Sequence, residues 1–361
     1  RSADVMPMEY PTYGSPDLRT PAMHLRYANG SSATALRYSS HSIVKGKPGL
    51  PGLPATYAEQ GDRVETLSIT LTDKFSNVDV ILNYSVWYDY NAIARSTVIK
   101  NKGSEPVFVL SANSVCFDIT DSEGLEMLNL YGAWGRERTV ERLPLRHGIQ
   151  IVDSKRGASS HSENPFLALL SKNSDELTGD VYGINLVFSG NFAGGVELDG
   201  YNTARVFMGI NPFDFGYKLL PGEDFVTPEA VMVFSDKGLS GMSRSYHSLY
   251  RSRICRGKFR DIERPVLINN WEATYFDFNE EKIIGIAKKA KELGIELLVV
   301  DDGWFGKRNS DVGYLGDWNV NTEKLQNAGN EIRALVRARG GKLQQRPVPC
   351  APRLVHTHRG A

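Results

Sequence analysis

The chain has 361 residues, and its 42 Lys and Arg balance 42 Asp and Glu, so the formal net charge is zero. At 41% hydrophobic and 23% charged it has the composition of a globular protein, with length for roughly two domains. Balanced charge gives no electrostatic basis for binding nucleic acid or an anionic membrane, and no apolar run approaches the roughly 20 residues of a membrane helix.

The first residues, RSADVMPMEYPTYG, lack both an initiator Met and the charged-then-apolar pattern of a secretion signal. Three scattered cysteines (Cys116, Cys255, Cys350) exclude a disulfide framework and a zinc site, and they fit a reducing, cytoplasmic compartment. From about Tyr10 to Phe234 short β-type runs follow one another: Arg63–Thr72, Val78–Trp87, Ala94–Lys100, Val107–Ala112 and Thr203–Ile210. Val78, Val80 and Leu82 alternate with Asp79, Ile81 and Asn83, a period near two, and Asn, Asp, Gly and Pro fill the gaps. Strands at this density without helical patterns between them predict a large antiparallel sandwich. The stretch KGKPGLPGLP, Lys45–Pro54, is too short for a collagen helix and predicts a rigid surface loop.

The pattern changes after Phe234. Leu239, Met242, Tyr246, Leu249, Tyr250 and Ile254 fall near helical spacing and predict a connecting helix. Pro265–Asn270 is an apolar strand, and Asn279 can cap a helix whose stripe is Ile283, Ile286, Ala287, Ala290 and Leu293. Gly294 stands at its C′ position. Ile295–Val300 is almost wholly apolar, the signature of a strand buried on both faces of a parallel sheet. Strand, helix and strand make a βαβ unit. After the turn Gly316-Asp317-Trp318 only about 40 residues follow, short of the roughly 250 of a parallel barrel, so the α/β domain is expected to be incomplete.

Chemistry is best placed at the ends of the two apolar strands, where Asn269-Asn270-Trp271-Glu272 and Asp301-Asp302-Gly303-Trp304 stand. Parallel α/β folds bind ligands beyond the carboxyl ends of their strands. An aromatic ring suits the C–H face of a sugar and carboxylates accept hydrogen bonds from its hydroxyls. Successive strand residues point to opposite faces, so Asp301 and Asp302 share a pocket only if the chain turns, which Gly303 makes feasible. The alternative is that Asp-Asp-Gly is a plain turn and Trp304 is core. Residues Tyr131–Glu137 read as a polar-aromatic loop in the sandwich, with a packed corner as the simpler reading. Ser159-Ser160-His161 lacks a nucleophile elbow or an acid partner, so it makes no hydrolytic triad. The seven histidines (24, 41, 147, 161, 247, 356, 358) have no metal-site spacing, and Gly194-Gly195 and Gly340-Gly341 make no phosphate loop. No metal and no cofactor are expected.

The words YPTYG (10–14), GLPATY (52–57), LYGAWGRE (130–137), RGASSHSENPFL (156–167), RPVLINNWEATYF (264–276), LVVDDGWFGKR (298–308) and GDW (316–318) are closely similar to the bacterial α-galactosidases of glycoside hydrolase family 36. They occur in the family's order and span about residues 8–327. The resemblance implies an N-terminal β-supersandwich, then a catalytic (β/α)8 TIM barrel, then a small C-terminal β domain, in a homotetramer. On this sequence it implies a multidomain β plus α/β chain: a supersandwich over 1–238, a helical linker over 239–263, and the first barrel βα units over 264–327. It also implies retaining hydrolysis of terminal α-D-galactosyl residues, as in melibiose and raffinose, without metal or redox cofactor. By position, Asp301 and Asp302 resemble the family's carboxylates that bind galactose hydroxyls, Trp271 an aromatic lining the galactose site, and Trp134 a sandwich tryptophan contributing to the substrate site.

The family's nucleophile, in a Lys-Trp-Asp type word, and its acid/base stand on later strands, and the chain shows neither, so it is expected to be inactive. The strands that open the family's sandwich ahead of YPTYG are likewise expected to be missing. From about Gln326 the pattern gives way to a tail over 328–361 rich in Arg, Pro and His. Shifted by one base, the codons for VPCAPRLVHTHR can read Ser-Arg-Ala-His-Pro-Asp-Trp-Cys-Ile-Pro-Thr, which holds a word expected further along the barrel. The tail is therefore expected to be a frameshifted translation. The competing function is a non-catalytic carbohydrate-binding or oligomerisation module built on the sandwich.

Overall fold

The computed structural model describes residues 6–326. The tail expected to be frameshifted, with His356 and His358, lies outside the described residues. Two compact units divide at Arg260/Asp261.

In the first unit the alternating pattern of Val78–Trp87 becomes a strand with those bounds, paired antiparallel on one side with Val64–Asp73 and on the other with Ala92–Asn101. Val78, Val80 and Leu82 are buried, as a period of two requires when one face packs on a core. These strands belong to a ten-stranded antiparallel sheet. It runs from an edge at Arg37–Lys45 through Val64–Asp73, Val78–Trp87, Ala92–Asn101, Glu229–Ser235, Val181–Val187, Glu163–Leu170 and Glu126–Ala133 to Arg136–Pro144, and Asp224–Val226 also pairs with Ala92–Asn101. A second, five-stranded sheet takes Met23–Tyr27, Val107–Ile119, Ala204–Ile210 and Phe192–Leu198 in that order, with Tyr217–Leu219 also on Val107–Ile119. Two apolar clusters join the inner faces. Met23, Leu25 and Val109 meet Val80, Leu82 and Ile99 in one, and Val206 and Met208 meet Leu167, Leu169 and Ile184 in the other. The expected antiparallel sandwich is thus present.

The helix expected as a connector is Gly238–Arg253, and it is no free linker. It covers the outer face of the large sheet, where Met242, Tyr246 and Leu249 pack with Ala168, Leu170, Val231 and Val233. Tyr246 donates to the Val231 carbonyl at 2.9 Å and Tyr250 to the Asn185 side chain. Gly183 makes room for it: a Cβ there would stand 2.6 Å from Met242 Sδ and 2.9 Å from Tyr246. The stretch expected as linker, 239–263, is therefore split between a packed helix and the unit boundary. The loop Lys45–Pro54 also differs from a plain surface loop, because Lys47 is buried and pairs with buried Glu229 at 2.6 Å. Thr56 closes the strap by donating to Glu229 through its amide at 2.8 Å and its hydroxyl at 2.7 Å.

One end of this sandwich is held by charge. Arg205, fully buried, donates to Asp17 at 2.7 Å and to both oxygens of Asp118 at 2.8 Å. Arg19 binds Asp17 at 3.0 Å and Asp199 at 3.2 Å. Burial alone would raise the Asp17 carboxyl, but the bonds from Arg19 and Arg205 outweigh it and bring it down to about 2.

The second unit is the predicted βαβ. Leu267–Asn269 and Leu297–Val299 pair in parallel, and Glu280–Glu292 is the helix between them. Asn279 caps it by accepting from Lys282 N at 3.0 Å. At the other end Gly294, with φ +80°, sends its amide to Lys291 O, and Ile295 N reaches Ala290 O at 3.0 Å, the paired bonds of a Schellman stop. One expectation fails. The Ile295–Val300 run is not buried on both faces, since Leu297 and Leu267 are exposed, the latter by 51%.

Candidate substrate site

Both strands of the second unit end in polar residues that bond to one another across the sheet. Asn270 ends the first strand's polar run and is fully buried; its Oδ1 accepts from Asp301 N at 2.7 Å, and its Nδ2 donates to Thr274 at 2.8 Å. Asn269 Nδ2 donates to Asp301 Oδ2 at 2.6 Å, while its Oδ1 accepts the Trp271 amide at 2.7 Å. The predicted strand Pro265–Asn270 therefore stops at Asn269. The chain then enters one helical turn, Trp271–Thr274, preceded by Asn270, which is held to the neighbouring strand's end through Val299 and Asp301.

The turn at Gly303 is present as required. Its φ is +91°, and a Cβ would stand 3.0 Å from the Phe276 ring, so position 303 excludes an ordinary side chain both by conformation and by space. Through this turn Asp301 Oδ1 accepts Asp302 N at 2.7 Å, and Asp302 Oδ1 accepts Gly303 N at 2.8 Å. Both carboxylates are half-buried. Asp302 is also bound by Arg308, whose Nε lies 2.6 and 2.8 Å from its two oxygens. That bond holds the Asp302 carboxyl below the usual carboxylate range, against a smaller opposing effect of burial. Ionised carboxylates only accept hydrogen bonds, which matches them to hydroxyl donors.

The aromatic wall is built nearby. Trp271 is half-buried and meets Tyr275 and Phe276 edge-to-face at centroid distances of 5.2 and 5.0 Å. Trp304 is not core: it is half-buried, and the buried ring is that of Phe305, set between Trp304 and Trp318. Lys324 donates to the Phe276 carbonyl at 2.7 Å, and burial lowers the pKa of its ammonium. Of the four residues singled out from the sequence, Trp271, Asp301 and Asp302 stand together in the second unit. Sequence reasoning gave no role to Arg308, although it lies in the LVVDDGWFGKR word; a cation six residues beyond a carboxylate, among aromatic residues, was the available signal.

Trp134 lies in the first unit. It is not in a packed corner, as the loop Tyr131–Glu137 suggested, but at the tip of the hairpin joining Glu126–Ala133 to Arg136–Pro144, 88% exposed. A two-residue turn explains this: Gly135 takes φ +78° and Ala133 pairs with Arg136, which throws the indole outward. At Gly132 the strand crosses so close to Arg136 and Glu137 that a Cβ would meet backbone at 2.6 Å. In Ser159-Ser160-His161, His161 Nε2 faces Arg156 at 3.3 Å and Ser160 Oγ accepts the Ser162 amide.

Residues 1–220 match the family model described as the glycosyl hydrolase family 36 N-terminal domain, and residues 224–345 match that described as melibiase. The α-galactosidase AgaA of Geobacillus stearothermophilus is 56% identical over 326 residues, which cover 90% of this chain and 45% of the relative. The α-galactosidase Mel36A of Lactobacillus acidophilus is 44% identical, with 94% and 46% covered. The crystal structure of AgaA matches with a TM-score of 0.90 at 54% identity over 94% of this chain and 47% of that one. A variant of AgaA solved in complex with raffinose matches at 0.91, with 95% and 48% covered. The chain thus spans about half the length of the curated relatives it matches.

Proposed function

The chain belongs to glycosyl hydrolase family 36, and from that premise we propose that its second unit carries the galactose-recognition half of an α-galactosidase site. The observation that carries the reading is the adjacent pair Asp301 and Asp302 just beyond the end of one parallel strand, each fixed by its own set of donors, with the half-buried Trp271 linked to Asp301 through Asn269. The substrate class is an oligosaccharide ending in an α-D-galactosyl residue, such as melibiose or raffinose. In this reading the carboxylates accept from the sugar's hydroxyls and Trp271 covers its apolar face; by the family resemblance Trp134 is a substrate contact of the sandwich unit.

Retaining hydrolysis needs two further carboxyl groups, one to attack the anomeric carbon and one to protonate the leaving oxygen and later activate water, about 5–5.5 Å apart. Asp301 and Asp302 are assigned neither role, because the word that holds them matches the family's galactose-binding pair. The reacting carboxylates are assigned to later barrel strands. Calorimetric titration of the purified chain with D-galactose tests the galactose-recognition reading, with D-glucose, its 4-epimer, as control. Saturable binding of galactose alone, lost in Asp301→Asn, is expected. Equal uptake of both sugars, or binding unchanged in Asp301→Asn, would refute it. No helix among the described residues is long and apolar enough to cross a membrane.

A further inference from the structure

We propose that Arg308 is a positioning residue of the galactose site, fixing the Asp302 carboxylate in one orientation and keeping it a hydrogen-bond acceptor. The inference rests on the reading that Asp301 and Asp302 receive sugar hydroxyls.

The argument begins with where the guanidinium lies. Residues Asp301–Asn321 form a loop region without regular elements, in which a charged side chain ordinarily reaches solvent. Arg308 is instead 5% exposed. Burying a cation is costly unless its donors are satisfied and a counter-charge is close. Here Nε serves both Asp302 oxygens at 2.6 and 2.8 Å, and Nη1 donates to the Gly313 carbonyl at 2.7 Å. The Phe276 and Phe305 rings flank it at 5.8 and 6.0 Å. Phe276 also abuts Gly303, the residue that lets the chain turn between the carboxylates and the loop. Arginine, ring and glycine thus form one packed support behind Asp302.

Asp301 is held differently. Its partners are the Asn269 amide and the Asp302 backbone N–H, both neutral. The cation bonded to Asp302 favours its ionised form, the form that only accepts hydrogen bonds. The charged groups acting on the Asp302 carboxylate are Arg308 and the ammonium of Lys324, while Asp301 is bonded to its backbone amide and Asp311 acts on Arg308. Protonated, Asp302 would lose its charge and turn one acceptor oxygen into a donor, weakening its hold on a hydroxyl hydrogen.

The test is galactose titration of the full 361-residue chain and of Arg308→Met, Arg308→Lys and Asp301→Asn between pH 4 and 8. Arg308→Met is expected to bind about tenfold more weakly at pH 7, the loss of one charge-assisted bond. Its acid limb, the fall in affinity as Asp302 takes up a proton, should move to higher pH. Arg308→Lys keeps the charge without the fork and should fall between the two. Arg308→Met binding as tightly as the parent with an unmoved limb, while Asp301→Asn has lost binding, overturns the positioning role and leaves the site reading intact. A parent chain that binds no galactose overturns both. Should Arg308→Met fail to fold, carbon-detected NMR titration of the Asp302 carboxyl in the parent decides. A midpoint below the ordinary aspartate range supports the role and an ordinary one overturns it.

Discussion

The sandwich and the βαβ unit obey the same local rules, yet they differ in what those rules achieve. In the first unit a period-two strand such as Val78–Trp87 meets a second sheet, and Val78, Val80 and Ile99 become fully buried. In the second, Leu267, Leu293 and Val266 remain more than half exposed, although their strand and helix form with correct cap and stop. Caps, turns and pairing need only a few neighbouring residues, whereas burial needs another layer. The candidate site depends on the first kind of bond. Asn269, Asn270, Gly303 and Arg308 fix the two aspartates within one unit, over sequence separations of 1, 6, 31 and 32 residues. A site built this way can be geometrically complete on a sparsely buried support.

The sharpest way to break this contrast is at the sandwich's ion cluster. Arg205→Met leaves the Asp17 and Asp118 carboxylates buried with one cation fewer, and should cost about 3–5 kcal/mol of first-unit stability by denaturant unfolding. The cluster also sets an acid response. Because the Asp17 carboxyl is depressed to about 2, its stabilisation is complete above the ordinary aspartate range and is lost as pH falls through that range to about 2. Unfolding midpoints measured down that window should fall in the parent and fall less steeply in Arg205→Met. A smaller loss, about 1–3 kcal/mol, is expected for Gly183→Val, whose Cβ would drive into Met242 and Tyr246 and lift the helix from the sheet. Unchanged urea midpoints would show that the helix adds nothing to the sandwich. Smallest is Asn279→Ala in the second unit, about 1 kcal/mol, read as faster amide exchange along Glu280–Glu292. If that helix exchanges freely even in the parent, its cap is not what holds it.

Much of this was legible in the sequence, and for traceable reasons. Alternation gave Val78–Trp87 its bounds, and Asn279 and Gly294 gave the helix its ends, since each signal is local. The edge strand Arg37–Lys45 was not read, because RYSSHSIVK faces solvent along its whole length and has no core to impose a period. The Asp-Asp-Gly turn announced itself, but Arg308 did not, because a guanidinium reaching back across a loop follows no periodicity. Trp134 was misjudged by burial statistics: a large ring is ordinarily packed, and only the two-residue turn sends this one outward.

The order of strands in the large sheet has a consequence for how the protein is made. Ala92–Asn101 takes Glu229–Ser235 as its neighbour, and Asp17 awaits Arg205, 188 residues further on. A ribosome adding roughly 5–20 residues per second exposes the early strands well before those partners emerge. During that interval the nascent sheet has open edges, and closing such distant pairs is intrinsically slow. The large sheet can therefore close only after Glu229–Ser235 has emerged, and until then the edge of Ala92–Asn101 stays open.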